Sequence, residues 1–198
     1  MTTDTLSRCT WLDTSKPDYV AYHDDEWGVP IYDDNKLFEF LTLESAQAGL
    51  SWYTILKRRN GYRKAFADFN VEIVAQYSQK KIEELILNSD IIRNRAKINA
   101  AVNNAQRFIE VQQEFGSFSD YMWGFVNHKT IVNHYNELSD YPATSSESDA
   151  WSKDLKKRGF KFIGSTICYA HMQACGMVND HSSDCYKKSQ IINEFKQG

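Results

Sequence analysis

The chain has 198 residues, 42% of them hydrophobic, and a formal charge of −3; this is enough apolar material for one sizeable core, with no linker that would part it into independent domains. Apolar runs extend only a few residues, and Met1 to Arg8 lacks the basic-then-apolar layout of a secretory leader, so the expectation is a cytoplasmic protein without a membrane span. The small net charge neither demands nor excludes a polyanionic partner, for which a local basic face is what matters.

Residues 1–34 read as an irregular arm carrying Cys9, Trp11, Tyr19, Tyr22, His23 and Trp27, with Asp33 and Asp34 as a helix start. The apolar run Leu37, Phe38, Phe40, Leu41, Leu43 then predicts a helix over 35–48, ended by Gly49. Leu37, Leu41, Glu44 and Ala48 share one stripe of it, which puts a carboxylate in the core. A buried Glu has a partner, a raised pKa or a task. Ser51 is a predicted N-cap that sets Trp52 and Tyr53 just beyond the acid, and carboxyl plus aromatic plate suits a flat, hydrogen-bonding ligand. A Glu capping backbone N–H groups in an ordinary helical core fits the same stretch.

The next helix is expected from Ser51 to about Phe66, with Ile55 and Leu56 inward and Lys57, Arg58 and Arg59 toward water. Asn70 and Ser78 read as N-caps of two short helices, the second from Gln79 to Leu87. The clearest amphipathic pattern runs from about Arg95 to Phe115, through Ile98, Ala101, Val102, Ala105, Phe108 and Ile109, and stops at Gly116. A short aromatic helix over 118–126 and an exposed loop over 139–148 follow.

Ser148 or Asp149 is expected to cap a helix ending in Lys156-Lys157-Arg158-Gly159. After the spacer Phe160-Lys161-Phe162-Ile163-Gly164, Ser165 opens another helix through Cys175, ended by Gly176. Two helices joined by a short basic turn suit an oxyanion, received by backbone N–H groups at the second helix's start, although cations and a Gly at a helix end are also a plain C-terminal signature. No convincing strand and no internal repeat is visible, so the predicted class is all-α, with a frayed tail over 187–198.

Four cysteines in a chain of this length do not resemble a secreted disulfide framework. Cys9 and His23 in the arm, with His181 and Cys185 near the other end, meet the ligand count of a closed tetrahedral zinc site, which would offset the loop entropy of an arm poor in regular structure. Two surface histidines and two unrelated thiols are the alternative. Cys168 and Cys175 read as small core residues.

These features converge on a resemblance. Cys9 with Trp11, Tyr22-His23-Asp24-Asp25-Glu26-Trp27-Gly28-Val29-Pro30, Leu43-Glu44 through Gln47-Ala48-Gly49-Leu50-Ser51-Trp52, Ile91-Ile92-Arg93-Asn94-Arg95, Trp123 with Phe125-Val126-Asn127-His128, and Lys156 through Gly164 to Val178-Asn179-Asp180-His181 are similar to the 3-methyladenine DNA glycosylase I family, the constitutive bacterial type, over about residues 9 to 185. The resemblance implies a helix-hairpin-helix DNA glycosylase fold in one domain over 1–186. Its helical core would span about 34–176, and a structural zinc ion on Cys9, His23, His181 and Cys185 would clip 9–23 to 181–185. It implies that Glu44 recognises the base, that Trp52 stacks on it with Tyr19, Tyr22 and Trp11 near the pocket, and that Lys161, Gly164 and Ser165 hold the DNA backbone.

By the same resemblance the protein is expected to act on alkylated double-stranded DNA in base-excision repair, releasing 3-methyladenine and leaving an abasic site; a monomer is the accompanying expectation. The sequence departs from the wider superfamily where lyase-type members carry a Lys, since Thr166 stands there, which argues against Schiff-base chemistry. Asn179 or Asp180 falls near the superfamily's catalytic Asp, and Ser45 stands beside Glu44 where Gly is common. A DNA-binding module without catalysis and a metal-dependent hydrolase are the rival classes; Glu44 beside Trp52 disfavours the first, and the lack of a further convergent ligand disfavours the second.

Overall fold

The fold is organised on one helix that is buried nearly all round. In the computed structural model, which describes residues 6–195, α2 (Asp34–Gln47) has every residue from Leu37 to Ala46 buried. Asp33 caps it by accepting from the Lys36 N–H at 2.8 Å, as the sequence predicts. Asp34 then reaches across the core to accept from the Phe118 and Ser119 N–H groups, both at 2.8 Å, so one acid satisfies the open donors at the start of another helix.

Before it lies α1 (Pro17–Asp25), a helix where an irregular arm was expected. Pro17 at its first turn and Asp18 after it are the start signals, but the helix lacks an apolar stripe wide enough to stand out. The helix expected over 51–66 is two: α3 (Trp52–Leu56) and α4 (Arg59–Ala65), parted at Lys57 and Arg58. Arg59 does not face water either: it is 5% exposed and donates to Glu39 at 2.7 Å and to both oxygens of Glu26 at 2.7 and 2.8 Å.

The helices α5 (Val71–Ala75) and α6 (Gln79–Leu87) carry the predicted caps, Asn70 and Ser78. The long α7 (Arg95–Phe115) packs on α2, with Phe108 between Phe38 at 5.4 Å and Phe118 at 3.9 Å, and α8 (Phe118–Gly124) closes that side. A two-residue parallel pair, β1 (Ile131–Val132) with β2 (Val178–Asn179), is the strand content of the described residues. Residue separation made it invisible in the sequence.

The pair α9 (Ser146–Lys157) and α10 (Ser165–Ala174) frames the predicted hairpin. Its cap is Ser145, in a reciprocal box with Ser148, rather than Ser148 or Asp149. α7 clamps the hairpin: Asn104 donates to the Lys161 carbonyl at 2.9 Å and accepts from its N–H at 2.8 Å, and Asn103 donates to the Gly159 carbonyl at 2.9 Å. Past α10, Gly176 has φ 72° and packs so close to the chain at Pro30 that a Cβ would lie 2.4 Å from its nitrogen.

Over the expected frayed tail runs α11 (Tyr186–Glu194), with Lys187, Lys188 and Ile191 buried. Lys188 is the tether, donating to the carbonyls of Asn133 and, at 2.8 Å, His181. The helical core therefore extends on both sides of 34–176. The leader expectation for Met1 to Thr5 and the tail beyond residue 195 lie outside the described residues. No helix among those described is long and apolar enough to cross a membrane.

Candidate functional site

Glu44 sits on the inward face of α2, 3% exposed, at a cavity of about 270 Å³, near the small end of the ligand-site range. Its Oε2 has no hydrogen-bond partner. With nothing to offset the loss of water, burial pushes its carboxyl up to about 8.

The turn after α2 delivers Trp52, because Ser51 Oγ caps α3 by accepting from the Thr54 N–H at 3.3 Å. The Trp52 indole stacks on Phe40 at 6.4 Å and meets Tyr22 at 5.3 Å. Tyr22 lies parallel to Tyr19, 6.4 Å away, and Trp11 packs on Tyr19 at 5.4 Å. Glu44, Trp52, Tyr22, Tyr19 and Trp11 thus line one cavity, although they come from three separate stretches of the chain. Besides Glu44 Oε2, the indole N–H groups of Trp11 and Trp52 are buried without an acceptor. Such orphaned polar atoms are rare in finished cores and collect where a ligand binds.

The sequence did not single out Trp27, Gln47, Tyr141 and Gln173 as lining residues. Gln47 follows Glu44 by three on the same helical face, which was readable; Gln173 and Tyr141 reach the cavity only through tertiary folding. Ser45 points away, its hydroxyl bonded to the Leu41 carbonyl at 2.8 Å. Asn179 and Asp180 are buried but do not line the cavity.

Beside the aromatic wall, Cys9, His23, His181 and Cys185 offer four ligand atoms within 4.8 Å of one another, all buried. His181 Nδ1 lies 3.4 and 3.5 Å from the Cys9 and Cys185 sulfurs, and His23 Nε2 lies 3.6 Å from Cys185. The second nitrogen of each ring faces an oxygen: His23 Nδ1 meets Asp24 at 2.7 Å, and His181 Nε2 meets the Trp27 carbonyl at 2.9 Å. Arg8 in turn holds Asp24 at 2.8 Å. Outer oxygens of this kind fix each imidazole with its free lone pair toward the centre, as a metal ligand requires. Contact with Cys185 pushes the Cys9 thiol up, and the same contact, with His181 and His23, pulls the Cys185 thiol down. Two sulfurs this close share one proton unless a cation holds both as thiolates. The donor set fits a four-coordinate metal ion with no position left open.

Lys161 at the hairpin is exposed and makes no ion pair among the described residues. Gly164 is the N-cap of α10 and provides no side-chain acceptor, so the first N–H groups of that helix lack intrahelical partners. The Ser165 hydroxyl is engaged within the protein, bonded to Asp149 and, at 2.8 Å, to Ser148; only its backbone remains for an oxyanion. α10 runs from this hairpin to the cavity, which Ala170 and Gln173 line.

A family model described as methyladenine glycosylase matches residues 11–188. DNA-3-methyladenine glycosylase 1 of Escherichia coli (strain K12) is 49% identical over 180 residues, covering 91% of this chain and 96% of that protein. A crystal structure of 3-methyladenine DNA glycosylase I superposes with a TM-score of 0.88 at 47% identity, over 91% of this chain and 98% of the other. The Staphylococcus aureus 3-methyladenine DNA glycosylase I, whose structure addresses 3-methyladenine recognition, superposes with a TM-score of 0.88 at 40% identity, over 92% and 97%.

Proposed function

The chain belongs to the methyladenine glycosylase family, and from that membership we propose that it hydrolyses the N-glycosidic bond of 3-methyladenine in alkylated DNA, with Glu44 reading the base. It works in base-excision repair, frees the base and leaves an abasic site. The observation that carries the role of Glu44 is a buried carboxyl without a partner in an aromatic cavity.

Methylation at N3 makes adenine a cation and therefore a good leaving group, so selection is harder than bond cleavage. The lesion leaves the duplex at a cost of a few kcal/mol, least for a weakened pair. In the cavity Trp52, Tyr22, Tyr19 and Trp11 stack on it, and their faces attract the positive ring by about 1–2 kcal/mol when water is excluded. The charge of the lesion also supplies what Glu44 lacks. A cation in the cavity favours the ionised carboxyl, which then accepts from the adenine edge; a neutral base provides no such return and leaves the acid protonated. Water attacks the sugar carbon. Thr166 in place of a superfamily lysine supports hydrolysis without lyase chemistry.

Lys161 and the open N–H groups at Gly164 and Ser165 hold the DNA backbone in this reading. The metal is zinc on Cys9, His23, His181 and Cys185, with a structural role, since four protein ligands leave no place for a water. Cavity, ligand set and hairpin all come from one chain, so this reading of a monomer needs no second copy, and its place in the cytoplasm rests on the likeness to DNA-repair glycosylases.

Replacing Glu44 by Gln keeps the shape and removes the charge. Release of 3-methyladenine from methylated DNA is expected to fall at least a hundredfold, with binding to abasic DNA near normal; undiminished release removes Glu44 from the mechanism.

A further inference from the structure

The cavity holds a second polar group whose direction is fixed by the core. Gln173 Nε2 donates to Asp180 Oδ2 at 2.9 Å. Asp180 is 1% exposed and also accepts from the Tyr169 hydroxyl at 2.7 Å and from Asn133 Nδ2 at 2.8 Å. Every one of these contacts brings a proton to the carboxylate, so turning the Gln173 amide over would set oxygen against oxygen. The amide therefore has one orientation. Its Oε1 accepts from no group among the described residues and is not among the sealed polar atoms, while the residue lines the cavity. Gln47, the other amide there, makes no side-chain hydrogen bond among the described residues and can turn either way.

We propose that Gln173 is a specificity-determining residue, its Oε1 a second acceptor that reads the exocyclic amino group of the extruded purine together with Glu44, on whose base-reading role this inference rests. An amino group brings two protons into a dry site, and each needs an acceptor. Glu44 takes one and Gln173 the other. A purine with an oxo group at that position presents lone pairs instead. Glu44, ionised by either N3-methylated cation, sets one lone pair against that oxygen, and Gln173 sets a second. The Gln173 amide cannot adapt, since Asp180 holds its only donors' edge. Asp180 is in this scheme a positioning residue, three hydrogen bonds deep and outside the cavity.

The test uses DNA treated with dimethyl sulfate, which carries 3-methyladenine and 3-methylguanine together, so that both released bases are measured in one reaction. Gln173→Met keeps length and volume and loses the acceptor. Release of 3-methyladenine is expected to slow about three- to tenfold, with 3-methylguanine release unchanged or faster, so the ratio narrows. Asp180→Asn frees the amide to turn and is expected to narrow the ratio partly with Gln173 intact. Equal slowing of both bases by Gln173→Met indicates a structural role and overturns the proposal, as does an unchanged ratio. If Asp180→Asn fails to fold, quenching of indole fluorescence by free 3-methyladenine in Gln173→Met serves as the second measurement: weaker binding by a similar factor supports the proposal and parental binding rejects it. An active Glu44→Gln would sink the base-reading role and this inference with it; an inactive Glu44→Gln beside an unchanged ratio sinks this inference alone.

Discussion

Glu44 is expected to cost the folded protein stability, and its pKa gives the sign. The carboxyl titrates near 4.5 when unfolded and at about 8 in the fold. Between these values the folded state keeps a proton that the unfolded state has lost, so stability falls as pH rises from about 4.5 to about 8 and then levels off. Glu44→Gln removes that slope. Urea denaturation at pH 5.5 and pH 8 is expected to show the parent losing on the order of 1–3 kcal/mol relative to the variant across the interval; parallel behaviour of the two proteins would place the acid in contact with bulk water. Function at this residue therefore opposes folding, a common trade at binding sites. At the same scale, Glu44 and Trp52 were readable because helical periodicity and a Ser cap place them without tertiary knowledge. Trp27, Tyr141 and Gln173 were not, because nothing local tells a wall residue from a core residue. The reading of Arg59 as solvated failed for the same reason: its partners, Glu26 and Glu39, lie 33 and 20 residues away.

Among the elements, the hairpin depends on a helix distant in the chain. Asn104 is 3% exposed and bonds Lys161 with both ends of its amide, its Oδ1 also accepting from Asn103 Nδ2 at 3.2 Å, so Asn104→Ala is expected to lose about 1–3 kcal/mol of stability, as buried backbone groups are left unpaired. Lys161→Ala should leave stability alone and weaken binding to abasic DNA, lowering the slope of log affinity against log salt by about 1 for one lost phosphate contact; the parental slope in the variant would take Lys161 off the DNA. The elements that the sequence revealed best were those with strong local marks, α7 by its apolar stripe and α5, α6 and α10 by caps or glycines. α1 and α11 escaped notice because their burial is partial and depends on neighbours, as with Lys188, a cation that a sequence reader assigns to solvent and the fold ties to two carbonyls.

At the scale of the whole molecule, the four candidate ligands join an arm at residues 9–23 to a segment at 181–185, and the ring of Trp27 links that junction to the cavity, 4.6 Å from His181. Brief exposure of folded protein to a chelator is expected to leave base release intact, because four protein ligands would leave a bound ion no open position. Prolonged chelation with mild heating should lower the melting temperature by several degrees, as loop entropy is no longer offset. Loss of activity within the brief treatment, before any change in circular dichroism, would assign the metal to the chemistry.

The burial of the cysteines has a meaning beyond ligation. Cys9 and Cys185 are 2% exposed and Cys168 and Cys175 are 0% exposed, so all four thiols are shielded. Methylating agents that modify adenine in DNA also attack soft nucleophiles, and an accessible thiolate is among the fastest to react. This protein offers them none unless it opens, and it can therefore keep working in a cell under the same electrophilic attack that creates its substrate.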